Sequence, residues 1–96
     1  MAYRVIWTLR ALEDLELTTE YLSKDSPMFA ASFVDQVLHA AATLTIYPNR
    51  GRYSPDLDDP EIREIFVKQH RLIYNVIGDR VNIIRLVHMA RNKPEE

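Results

Sequence analysis

The sequence predicts a two-layer α+β domain of order β-α-α-β(3–4), with an antiparallel helical hairpin packed on one face of a mainly antiparallel sheet. Three observations carry this. Apolar residues recur at steps of three and four from about residue 9 to 47, with one break at Ser26-Pro27. After Pro60 the period becomes two, in three successive runs. A short alternating run, Tyr3 to Thr8, precedes the helices. Helices and strands segregated along a chain in this way form a sheet covered on one side.

Tyr3 to Thr8 is rich in β-branched and aromatic residues and is predicted as a strand. Ala11, Leu12, Leu15, Thr18, Thr19 and Leu22 then mark an amphipathic helix over about 9–24, with acids expected near its start, where the macrodipole favours them. Ser26 suits an N-cap and Pro27 the first helical position, so a second helix starts there and runs to about Tyr47, before Pro48. A two- or three-residue link folds the two helices into a hairpin. The alanines at 30, 31, 40, 41 and 42 permit close approach to a neighbour. Residues 48–60 hold three of the five prolines and form a loop, with a short extended piece near Arg52-Tyr53. Ile62–Lys68, Arg71–Ile77 and Val81–His88 follow as strands. Lys68-Gln69-His70 contains one turn, and Gly78-Asp79 forms a two-residue type II′ turn. Ile83-Ile84 and Leu86-Val87 are consecutive apolar pairs, which places the last strand centrally with both faces covered.

Ninety-six residues with 47% apolar content make one folded domain, residues 1–96, with about 90–96 as a polar flexible tail. There is no cysteine, hence no disulfide and no thiolate metal site. No signal peptide or membrane-length apolar run is present, so a cytoplasmic protein without a membrane partner is expected. The net charge of −2 is divided unevenly. Residues 1–60 hold five Lys/Arg and nine Asp/Glu, whereas residues 61–93 hold seven and three. A general nucleic-acid binder would be more basic, but a local basic face can meet a phosphate backbone or an acidic protein. Asp56-Leu57-Asp58-Asp59 lacks the spaced ligands and central glycine of a calcium loop, so no metal and no cofactor are expected.

Several motifs in order resemble the RelE/ParE superfamily of bacterial type II toxins. They are Ala11-Leu12-Glu13-Asp14-Leu15 with Tyr21; Ser26-Pro27 with Ala30 and Phe33-Val34; and Leu44, Pro48, Gly51-Arg52 and Pro55. The strand block adds Ile62-Arg63-Glu64, Arg71-Leu72-Ile73-Tyr74, Gly78-Asp79 and Val87-His88-Met89-Ala90-Arg91. The resemblance implies a toxin bound and silenced by a cognate antitoxin in a hetero-oligomer. The Gly-Arg loop and the His-Met-Ala-Arg ending are similar to the ParE branch, which poisons DNA gyrase. The His70-Arg71-Leu72-Ile73-Tyr74 run also resembles the RelE branch, which cuts messenger RNA on the ribosome.

Metal-free RNA cleavage needs a base, an acid and cations for the phosphorane charge. His88 is the candidate acid, and Arg63, Arg71 and Arg91 are the candidate cations. No base is evident: Glu61 and Glu64 are nearest in sequence, and Glu64 alternates with Arg63, so it faces the opposite way. A binding surface is therefore the preferred reading, with Trp7, Arg63, Arg71, His88 and Arg91 as candidate partner contacts. It is expected on the sheet face left open by the helices, lined by Arg and His. His70 is read as a turn residue, His39 as a polar position of the second helix, and Tyr21 and Tyr74 as core or core-edge residues.

Overall fold

The computed structural model describes residues 2–54 and 57–90. Strand β1 (Arg4–Trp7) leads into helices α1 (Leu9–Ser23) and α2 (Pro27–Thr43), followed by β2 (Arg52–Tyr53), β3 (Ile62–Val67), β4 (His70–Ile77) and β5 (Arg80–His88). The sheet order is β1-β5-β4-β3-β2, with β1 parallel to β5 and every other pair antiparallel. The helical hairpin covers one face, as the sequence predicts. The tail expected at 90–96 lies outside the described residues beyond Ala90.

Local chemistry sets the helix ends. Thr8, predicted as the last strand residue, is instead the N-cap of α1: its Oγ1 accepts from Ala11 N–H at 3.1 Å and donates to Ile83 C=O at 2.9 Å. One hydroxyl thus joins the helix start to β5. The first turn of α1 carries no acid, contrary to expectation; Glu13 and Asp14 lie in the second turn. Ser26 caps α2 through Phe29 N–H at 3.1 Å, and Pro27 opens the helix. That helix ends at Thr43, short of the predicted Tyr47. Thr43 and Thr45 hydroxyls bond to the carbonyls of Ala40 and Ala42, and Leu44, Thr45 and Ile46 close tighter three-residue turns. Threonine side chains competing for helical carbonyls end the regular ladder.

Phe33, Val37, Ala41 and Leu44 from α2 and its end, with Ala11 from α1, meet Leu72, Tyr74, Val81, Ile83 and Leu86 of the sheet. Ala30 and Ala41 are buried, whereas Ala31 and Ala42 are exposed. Tyr74 is fully buried as expected. Its hydroxyl donates to Pro48 C=O at 2.8 Å and accepts from Gly51 N–H at 2.9 Å, which fastens the 48–51 loop to the core. Burial raises the pKa of that phenol. A Cβ at position 51 would lie 2.6 Å from the Tyr74 hydroxyl and 2.9 Å from the Glu64 carbonyl, so only glycine fits.

The central position expected for β5 is observed, between β1 and β4. Gly78, at φ 61°, occupies the first position of the β4–β5 turn, and Asp79 is not in the positive-φ region, as a type II′ turn requires. Lys68 takes the same place in the β3–β4 turn at φ 56°, an unfavourable conformation for a side chain with a Cβ. Strand β5 carries an irregularity: Tyr74 pairs with Ile83, but Ile73 pairs with Arg85, which leaves Ile84 as a bulge.

Gly51→Ala is expected to cost more than about 2 kcal/mol, because the backbone and a buried phenol must both shift. Lys68→Gly is expected to stabilise by about 1 kcal/mol by relieving the left-handed conformation. Guanidinium chloride midpoints of the two variants against the wild-type chain measure both.

Candidate functional site

Helix α1 and strand β5 set the site's position. Strand β1 stops at Trp7 opposite Ile83, while β5 continues to His88. Beyond Ile83 the exposed edge of β5 meets α1 instead of a strand. Asp14 accepts from Leu86 N–H at 2.9 Å and from Arg85 at 2.7 and 3.3 Å, with Arg10 at 3.6 Å. A carboxylate therefore takes over the ladder where β1 leaves it.

Next to this junction lies a cleft of about 600 Å³ between α1, the start of α2 and the ends of β4 and β5. Leu17, Tyr21, Phe29 and Phe33 form apolar walls, and Arg10, Lys68 and Arg85 stand around it with Asp14. Tyr21 was expected as a core or core-edge residue but is 70% exposed, on the wall of the cleft.

His70 and His88 lie directly opposite each other on β4 and β5, with ring centroids 5.1 Å apart in an edge-to-face arrangement. The His70 ring also meets Phe33 at 4.8 Å. His70 is 8% exposed, and its buried Nδ1 has no hydrogen-bond partner. Burial first, and His88 second, lower its pKa from 6.5 to about 4. His88 is exposed, and its Nδ1 accepts from Ala90 N–H at 3.0 Å. Two sequence expectations are corrected. His70 is not a turn residue but the first residue of β4, paired with His88. Both histidines project to the helix side rather than to the other face: His70 is in phase with Leu72 and Tyr74 on β4, and the bulge at Ile84 reverses the phase of β5 so that His88 joins it.

The face away from the helices is also not an open cationic surface. Glu64, Arg71, Ile73 and Val87 on it are each under a tenth exposed. Glu64 binds Arg71 at 3.1 Å, Arg52 at 2.9 Å and the Ser54 hydroxyl at 3.1 Å. Edge strand β2 and the residue after it, Ser54, deliver two of these partners. Arg71 and His88 consequently project from opposite faces. Arg63 donates to the carbonyls of Gly51 and Asn49 at 2.8 and 3.3 Å and stacks on Tyr53 at 4.6 Å. Trp7 is half-buried against the core. Glu61 is exposed beyond the start of β3, and His39 is exposed on α2. Arg91 lies outside the described residues. Sequence reasoning missed the cleft and its Asp14–Arg85 junction; the contact joins residues 71 apart, and nothing in either local motif announces it. No group of three or more metal-ligating side chains occurs among the described residues.

Comparison with known proteins adds a family. The model of the ParE toxin of type II toxin-antitoxin systems matches residues 5–93. Toxin RelE2 of Caulobacter vibrioides is 37% identical over 89 residues, 92% of this chain and 97% of that protein. In solved structures the fold is shared with the chromosomal ParDE system of P. aeruginosa, at TM-score 0.75 and 21% identity over 91% of this chain and 96% of that one. It is shared also with the RelBE2 toxin-antitoxin complex of Mycobacterium tuberculosis, at TM-score 0.63 and 24% identity over 92% of this chain and 99% of that one.

Glu64→Gln is expected to destabilise by about 3–5 kcal/mol, because it removes the buried carboxylate that Arg71, Arg52 and Ser54 all bind; urea unfolding measures it. His70 binds its proton less readily folded than unfolded. Its contribution is therefore fully present above about pH 6.5 and lost as pH falls toward 4. Unfolding free energy is expected to drop by about 2–3 kcal/mol across that window from this group. In His70→Asn that part of the slope should vanish.

Proposed function

This chain belongs to the ParE toxin family of type II toxin-antitoxin systems, and on that premise we propose that it arrests growth by binding DNA gyrase and is silenced by a cognate antitoxin in a hetero-oligomer. One observation carries the choice of a binding mode. Arg71 and His88, which a nuclease would bring together on one phosphate, stand on opposite faces of the sheet, and Arg71 is already committed to Glu64. Arg63 is likewise held by loop carbonyls and a tyrosine ring. A cationic field spent on internal carboxylates and carbonyls has little left for a developing phosphorane charge. The amphipathic cleft, by contrast, has the size and composition of a recognition site. Trp7, Arg63, Arg71, His88 and Arg91 remain the partner contacts read from the sequence, and the cleft supports His88 among them. The toxin would act in the cytoplasm; among the described residues no helix is long and apolar enough to cross a membrane.

The likeness to a protein named RelE2 favours a second reading, a ribosome-dependent messenger RNA endonuclease using Arg63, Arg71, His88 and Arg91. A third is a degenerate toxin that binds only its antitoxin.

Gyrase supercoiling and cleavage assays, run beside a translation-coupled RNA cleavage assay, separate these. Inhibited supercoiling with intact messenger RNA is the expected result. Supercoiling unaffected by excess toxin sinks the gyrase reading. Arg71→Ala and His88→Ala are expected to reduce RNA cleavage at least 100-fold if the second reading holds, since each removes a charge-stabilising or proton-transfer group. Growth arrest that survives both changes excludes it. A wild-type chain that causes no arrest identifies the third.

A further inference from the structure

We propose that the cleft between α1, the start of α2 and the ends of β4 and β5 seats an acidic, apolar segment of the antitoxin, and that the His70–His88 pair receives one of its carboxylates, so that complex formation takes up a proton. This rests on the reading that an antitoxin silences the chain. It adds where the segment sits and what regulates its affinity.

Three features of the cleft specify the occupant. Its walls offer large exposed apolar surface, with Leu17 at 60%, Tyr21 at 70% and Phe29 at 44% exposure, which suits an amphipathic segment that folds on binding. Among the described residues its lining carries Arg10 and Lys68 beside the Asp14–Arg85 pair. A segment carrying carboxylates complements that field, and a basic or neutral one does not. Its floor holds an imidazole more than nine-tenths buried whose Nδ1 has no partner. An unsatisfied buried nitrogen in a folded protein is costly, and turning the ring so that Nδ1, closed to solvent in the free chain, meets a ligand carboxylate recovers that cost.

The groups facing His70 determine the sign of the proton linkage. From β5 come His88 and Arg85, from the β3–β4 turn Lys68, and from α1 Arg10 and Asp14; α2 contributes only the Phe33 ring. Before binding, His88 opposes a charge on His70, and Asp14 is held by Arg85 and Arg10. Burial acts in the same direction, so the ring is neutral at neutral pH. A carboxylate within about 4–6 Å favours the imidazolium by about 1–3 pKa units. Binding then moves the proton affinity of His70 upward from about 4 toward the range in which it is half-protonated near pH 6. No covalent step is involved; the proton comes from solvent and returns to it on release.

The test is titration calorimetry of the full chain with the full antitoxin encoded in the adjacent reading frame, from pH 5.5 to 7.5, in two buffers of different ionisation enthalpy. Uptake of a substantial fraction of one proton is expected near pH 6, with binding about five- to tenfold tighter at pH 5.5 than at 7.5. His70→Asn should bind with little pH dependence. Tyr21→Glu, which adds a like charge to the cleft wall, should weaken binding at least tenfold, and Leu9→Glu, on the outer side of α1 at 85% exposure, should not. Binding without proton uptake, full pH dependence in His70→Asn, or an unaffected Tyr21→Glu overturns this inference and leaves the antitoxin reading standing. No binding at any pH overturns both. If His70→Asn lacks a cooperative melt, His88→Gln decides: losing the neighbouring imidazole should shift the midpoint of proton uptake to higher pH, and an unchanged midpoint overturns the proposal.

Discussion

Strand β5 carries one residue more than the stretch of β4 opposite it, and the side chains that reach the helical layer near its end depend on that residue. Up to Ile83 the alternation places Val81 and Ile83 on the helix side. Ile84 then breaks the register, and Leu86 and His88 take the inward positions that Arg85 and Val87 would otherwise hold. A slip of one residue exchanges every side chain between the two faces. Without the bulge an arginine would be driven under the helices, and His70 would meet Val87 instead of His88. The same distortion brings Arg85 to Asp14 on α1, which ends the ladder where β1 has departed. Bulges concentrate where a strand must re-aim a side chain, and here the side chain re-aimed lies in the cleft.

Polar groups are buried on both faces of the sheet, but in opposite states. Glu64 is surrounded by two guanidinium groups and a hydroxyl, and its partners come from β2, the loop after it and β4. Both Glu64 oxygens are engaged, and the consequence is rigidity: edge strand β2 and Ser54 are tied to β3 and β4 through one carboxylate. His70 is almost as buried, yet one nitrogen is unpaired and the nearest polar ring is another imidazole. His70 lines a cleft that a ligand can enter and Arg71 does not, so the physical argument for recognition falls on the helix side and not on the arginine-rich face.

Much of the fold could be read directly from the chain. The change from a period near 3.6 to a period of 2 separated hairpin from sheet, Ser26-Pro27 located the α2 start, and Gly78-Asp79 located a turn, because each depends on local stereochemistry. Errors arose where tertiary contacts override local preference. Thr8 looked like a strand residue, but its hydroxyl is shared between a helix start and β5. His70 looked like a turn residue because Lys68, not a glycine, accepts the positive φ of the preceding turn. The site was less legible than the fold. Counting outward from a two-residue turn at Gly78-Asp79 sets His70 against Val87, and only the bulge brings the two histidines together. Arg63, Arg71 and His88 were all candidates by residue type, yet a sequence does not show which carboxylate or carbonyl will already have claimed an arginine.

An antitoxin that silences a toxin must cover or distort the surface that meets the target. The cleft is well suited to such control. It lies between two layers that meet there through Asp14, bound at once to β5 and to two arginines, and through the Phe33–His70 contact. A segment seated in it would touch both layers and fix their spacing, while covering Tyr21, Leu17 and Phe29. Covering that apolar area also stabilises a small domain whose own core is limited. The free toxin should then be the less stable species, and the more so in acid, where His70 in the unfolded chain takes a proton that the folded, unliganded chain resists. In the proposed complex a carboxylate would reverse that preference by giving the imidazolium a counter-charge. One buried ring can therefore oppose the folded free state at low pH and favour the silenced state at the same pH, because the sign is set by whether a carboxylate is present.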